Sequence, residues 1–76
     1  MDKRTWMSEF GDNLRSLIRE EGITQQQLAK ESGVDQSDIS RYINGLQMPS
    51  IKAVVNLASA LSCDTDDLIN FDETID

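Results

Sequence analysis

The stretch ITQQQLAKESGVDQSDISRYING, residues 23–45, carries two helix starts eleven residues apart with one glycine between them. In the first, Thr24 is placed to cap the amides of the next turn. Gln27 can reach back to complete a capping box, and Ile23 can pack on Leu28 as a hydrophobic staple. In the second, Asp35 is the cap and Val34 with Ile39 forms the staple. Asp38 lies in the first turn, where its charge favours the helix dipole. Gly33 ends the first helix where the chain needs a left-handed residue. Two such short helices joined by a glycine turn must cross steeply rather than lie antiparallel, and Ala29 is small enough to allow a close approach. The pattern excludes one continuous helix over residues 24–44.

The flanking segments read as helices on which that pair can rest. Thr5 is the expected N-cap of a first helix running to about Glu21, with Trp6, Phe10, Leu14, Leu17 and Ile18 recurring at helical spacing and Gly22 as its stop. Asn44-Gly45 closes the third helix. Pro49 and Ser50 open a fourth, with Ser50 as cap and Ile51, Val54, Val55, Leu57, Ala58 and Leu61 as its buried side. Thr65 is the expected cap of a short fifth helix bearing Leu68 and Ile69, after which Phe71 folds back on the core. No strand pattern, linker or low-complexity segment interrupts this reading, so the expected fold is all-α with five helices. Residues 1–76 read as a single domain, with a core over about 5–70 and an acidic end at 71–76.

Composition narrows the function. The chain has no His and one cysteine, Cys63, which removes the usual general base, a structural zinc site and an internal disulfide. The four glycines stand eleven or twelve residues apart, so there is no phosphate-binding loop. Neither catalysis, a cofactor nor a metal is expected, and Cys63 reads as packing. No apolar run approaches a membrane span of about 20 residues, and residues 1–10 lack the apolar centre of a signal peptide, which points to a soluble cytoplasmic protein without a membrane partner. The net charge of −7 is uneven: residues 64–76 hold six acids and no base, leaving 14 − 6 = 8 acids against 7 bases in residues 1–63. The body is nearly neutral and the end is acidic.

The third helix shows a division that solubility alone does not demand. At about 100° per residue, with Gln36 at zero, Ile39, Tyr42 and Ile43 fall at roughly 300°, 240° and 340°. Gln36, Ser40, Asn44, Ser37 and Arg41 fill roughly 0° to 140° with hydrogen-bonding groups and no acid. These are donors and acceptors of the kind that read base edges in a major groove. Residues 14–69 resemble the helix-turn-helix domain of the Cro and phage-repressor class, also called the XRE family. The motif covers Gln25 to Asn44, with Leu28-Ala29 in the first motif helix, Gly33 at the turn and Val34, Ile39 and Tyr42 in the apolar slots. The trailing NGLQMPSIKAVVNLASAL is similar to the family's exit from helix three and its helix four.

The resemblance implies a compact five-helix bundle of the lambda-repressor-like type, with helix three as the recognition helix. Gln36, Ser37 and Arg41 then occupy base-contacting positions, with Ser40 a further candidate. Gln25 and Asn44 match phosphate-contacting positions, and Lys52 is a further candidate on that surface. Each has a plainer alternative: Asn44-Gly45 as a C-cap, Gln25 as a solvated first-turn residue, and Asp35 and Asp38 as capping groups, although an acid in a groove can accept from a cytosine amino group. Trp6 and Phe10 read as core rather than a base-stacking platform. The loop LQMPS lacks the bases that often grip phosphate, and the overall acidity opposes long-range attraction to DNA, so a single copy should bind weakly. The implied function is a sequence-specific transcriptional regulator of double-stranded DNA, a small repressor working as a homodimer on a palindromic operator. Its dimer contact would lie at Leu68, Ile69 and Phe71 or at the Trp6 end. The alternative is an antitoxin-like or antirepressor-like module whose acidic surface binds a protein partner.

Overall fold

The computed structural model describes residues 1–71, and the acids Asp72, Glu73 and Asp76 lie outside the described residues. The elements are α1 (Lys3–Glu21), α2 (Gln25–Ser32), α3 (Gln36–Ile43), α4 (Ile51–Ala60) and α5 (Thr65–Ile69). No strand occurs among the described residues. The short α2 and α3 pack on each other, α1 lies along α3 and α5, and α4 joins α2 to α5.

Local chemistry sets most helix ends. Asp2, not Thr5, caps α1: its carboxylate accepts the Thr5 amide at 2.8 Å, so Thr5 supplies a backbone donor one turn inside the helix. A carboxylate at the positive end of a helix is the stronger acceptor. At α2 the expected box is complete, with the Gln27 amide on Thr24 Oγ1 at 3.0 Å and the Thr24 amide on Gln27 Oε1 at 2.8 Å. Gly33 follows at φ 76°, a left-handed value that a β-carbon disfavours. Ser50 Oγ caps α4 by accepting from the Ala53 amide at 3.0 Å. The fifth helix is capped by Asp64 rather than Thr65, and the Asp64 amide donates to the Asp67 carboxylate at 3.0 Å.

Phe10, Leu14, Leu28, Ile39, Leu57, Leu61 and Leu68 are fully buried, drawing one side chain or more from every helix. Each contributes about 1.5–3 kcal/mol of burial relative to exposure. Trp6 stacks on Phe10 with ring centroids 5.5 Å apart, and Phe71 meets Trp6 edge-on at 5.0 Å. The aromatic residues therefore serve the core, as their spacing implied. Two further ties are polar: Asn13 Nδ2 donates to the Leu68 carbonyl at 2.8 Å, and Arg15 Nη2 donates to the Ile43 carbonyl at 3.3 Å. The second places a cation at the negative end of α3.

Gly11 sets how closely α1 approaches α3. A β-carbon there would lie 2.7 Å from the Ile43 carbonyl oxygen and closer still to that of Tyr42.

One expectation about the apolar surface fails. On α4, Val54, Leu57, Ala58 and Leu61 are buried together with Ala53, but Ile51 is 85% and Val55 49% exposed. With Val54 at zero, the buried residues span roughly 260° to 40°, while Ile51 and Val55 stand at roughly 60° and 100°, past one edge of that arc. On α5, Leu68 is fully buried and Phe71 half-buried against the core, so of the three residues proposed for a dimer contact Ile69 is the exposed one.

Candidate nucleic-acid interface

The third helix is fixed from within by Ile39, Tyr42 and Ile43, all buried, with Phe10 edge-on to the Tyr42 ring at 5.9 Å. Its other side therefore points outward by default of geometry. Gln36, Ser37, Arg41 and Asn44 are exposed and Ser40 is half-buried, so the structure gathers the expected polar residues on one face. Burial pushes the Tyr42 hydroxyl above its ordinary pKa, the nearby Asp38 charge adds to the rise, and the Gln47 side chain opposes it.

The start of α3 departs from the expected pattern. Asp35 holds the cap position, but its side chain makes no capping hydrogen bond. Asp38 lies in the first turn as expected, yet its carboxylate is engaged sideways: Oδ1 accepts from Arg41 Nη1 at 3.0 Å and from Gln47 Nε2 at 3.3 Å. The guanidinium has five N–H donors in a planar fork, and one contact to Asp38 leaves an edge that can address the O6 and N7 of a guanine.

The exit from α3 is closed by the chain itself. The Leu46 amide donates to the Arg41 carbonyl at 2.8 Å and the Gly45 amide to the Tyr42 carbonyl at 3.1 Å, a Schellman arrangement. Asn44 Nδ2 donates to the Ser40 carbonyl at 2.9 Å. Asn44 is thus a C-cap whose second amide hydrogen remains for another acceptor. Gln25 is half-buried at the first position of α2, where leading helix amides are open to an anion. Lys52 stands exposed in the first turn of α4, on a groove of about 270 Å³ that Asp35, Asp38 and Tyr42 also line. It therefore shares a surface with the start of α3.

Two features were not legible in advance. Gln47, nine residues from Asp38, joins the Arg41 pair through the turn after α3, and only folding brings it there. A second groove of about 320 Å³ is lined by Trp6, Met48, Pro49, Ile51, Val54, Val55, Thr65 and Ile69, and it collects most of the exposed apolar side chains. Cys63 is half-buried, and burial together with Asp67, Asp64 and Glu21 raises its thiol pKa, which suits packing rather than reactivity. Among the described residues no helix is long and apolar enough to cross a membrane.

Two short helices meeting at a left-handed glycine, the second buried on one side and polar on the other, match a known sequence pattern over residues 14–68. The chain belongs to the helix-turn-helix family. This helix-turn-helix chain is 43% identical over 56 residues to the HTH-type transcriptional repressor RghR of Bacillus subtilis (strain 168). That match covers 72% of the chain but spans only 42% of the repressor's length. The fold is similar to the restriction-modification controller protein C.AhdI from Aeromonas hydrophila, with TM-score 0.79, 32% identity and coverage of 82% of this chain and 94% of that one. It is also similar to the hypothetical transcription factor NHTF from Neisseria, with TM-score 0.81, 20% identity and coverage of 91% and 79%, a likeness of fold alone.

Proposed function

We propose that this helix-turn-helix protein is a sequence-specific, double-stranded DNA-binding transcriptional regulator, a small repressor acting as a homodimer on a two-fold operator. The observation that carries the reading is the outward face of α3, where Gln36, Ser37, Ser40 and Arg41 stand on a helix held rigid by Ile39, Tyr42 and Ile43. In this reading Gln36, Ser37, Ser40 and Arg41 meet base edges, while Gln25, Asn44 and Lys52 meet phosphates. The family membership and the likeness to a repressor and a controller protein support it. Its role is binding rather than catalysis, and its place of action is the cytoplasm.

Dimerisation follows from reach. Eight residues at 1.5 Å each make α3 about 12 Å long, which spans only three or four base pairs. An acidic chain has little nonspecific attraction to make up the deficit. The exposed apolar residues Met48, Ile51, Val55 and Ile69 around the second groove offer a contact that a partner copy would cover.

Selection of binders from a randomised duplex library with the purified protein tests the whole reading. Enrichment of a palindrome is expected, with half-sites about one helical turn apart. If no duplex is enriched at low salt, the alternative stands: a module whose acidic surface binds a protein partner.

A further inference from the structure

We infer that Asp38 is a positioning residue for Arg41 and sets how strictly the α3 face discriminates between base pairs. The inference rests on the base-reading role proposed for α3. One oxygen, Asp38 Oδ1, accepts from both Arg41 Nη1 at 3.0 Å and Gln47 Nε2 at 3.3 Å. Gln47 comes from the segment after α3, so one carboxylate oxygen ties that segment to the Arg41 guanidinium.

Arginine has a long side chain whose ordering opposes binding. The Arg41 side chain is 51% exposed and would otherwise sample many rotamers. A carboxylate one turn back restricts it before DNA arrives, and its single contact at Nη1 leaves other donors of the guanidinium for a ligand. Specific contacts then need less ordering at the moment of binding.

Charge acts in the same direction. Asp38 partly neutralises Arg41, which weakens the attraction of that guanidinium to any phosphate. A guanine edge, with two acceptors matched to the remaining donors, loses less than a phosphate does. Asp38 should therefore raise the ratio of specific to nonspecific binding even where it does not raise affinity. A carboxylate that served only to favour the helix dipole would have no need of the Gln47 contact.

The experiment compares the native protein with Asp38→Ala, Asp38→Asn, Arg41→Ala and the double variant Asp38→Ala/Arg41→Ala. The probes are the duplex most enriched from a randomised pool of roughly 20 base pairs, its single-base-pair variants and the unselected pool. Asp38→Ala is expected to lower the enriched-to-random affinity ratio about two- to fivefold, the range of an exposed ion pair, with the thermal midpoint nearly unchanged. The lost discrimination should fall at the base pair that Arg41→Ala also relaxes and vanish when Arg41 is already Ala. Asp38→Asn keeps an acceptor oxygen and should retain more discrimination than Asp38→Ala. Uniform weakening on all duplexes, an Asp38→Ala effect that persists without Arg41, or discrimination left intact by Asp38→Ala while Arg41→Ala loses it, would each overturn the positioning role alone. Unchanged preference in Arg41→Ala would instead overturn the base-reading role of α3.

Discussion

Helices α2 and α3 have the same length, eight residues, and begin with the same sequence punctuation, yet different forces hold them. The second helix closes its own start with the Thr24–Gln27 box and buries one residue, Leu28. The third leaves Asp35 without a capping bond, turns Asp38 toward Arg41 and Gln47, and buries three residues. Arg15 of α1 then bonds its last carbonyl. The start of α2 is closed by its own side chains, whereas the end of α3 is held by a neighbouring helix. A helix held from behind can leave its front polar groups for a ligand, which is the arrangement a reading helix needs.

The largest expected effect comes from disturbing what holds α3. Gly11→Ala would drive a β-carbon into the Tyr42 and Ile43 carbonyls and should destabilise the protein by about 1–3 kcal/mol in denaturant unfolding, although alanine is otherwise the better helix former. A neutral or stabilising result would show that α1 does not clamp α3.

The comparison also predicts different faults in binding. Arg41→Ala should cost about 1–3 kcal/mol on the selected duplex and relax preference at one position. Gln25→Ala, at the start of α2, should weaken all sequences alike, as loss of a phosphate contact does. Titrations against the selected and random duplexes separate the two, and identical behaviour of the variants would dissolve the distinction.

The two caps give a smaller contrast. Thr24→Ala should cost about 0.5–2 kcal/mol, whereas Asp35→Ala, which breaks no capping bond, should fall within about 0.5 kcal/mol of the native protein in thermal unfolding. Equal losses would mean that the matching punctuation has matching energetics after all.

The smallest effect concerns Asp2, whose cap on α1 resembles that of Thr24 but carries a charge. The Thr5 amide holds the Asp2 carboxyl below its ordinary value of 3.8. Because the folded pKa is depressed, the stabilisation is fully present above the ordinary value and is lost as pH falls through the folded one. Exchange of the Thr5 amide should accelerate relative to mid-helix amides across that acid window, and Asp2→Asn should remove the pH dependence.

Much of this architecture could be read from the chain because its causes are local. Capping boxes and glycine stops act within four residues, so Thr24, Gln27, Gly33 and Ser50 announce their roles wherever they occur. The apolar arc of α3 likewise follows from helical periodicity, and it determines in turn that Gln36, Ser37 and Arg41 share the opposite side. Local reading named the wrong cap at two helices: Asp2 displaced Thr5, its carboxylate accepting the Thr5 amide, and Asp64 displaced Thr65, its amide donating to the Asp67 carboxylate.

The sequence by itself determined the helices, the left-handed turn between α2 and α3, and the polar composition of one α3 face, because each depends on neighbours along the chain. Tertiary structure alone decided which edge of α4 stays outside, where Ile51 and Val55 lie past the arc that meets α2 and α5. It also brought Gln47 to Asp38 across a turn and α1 against the end of α3 at Gly11. Those outcomes depend on how rigid helices rotate and approach one another, and residue spacing within a single helix does not encode that.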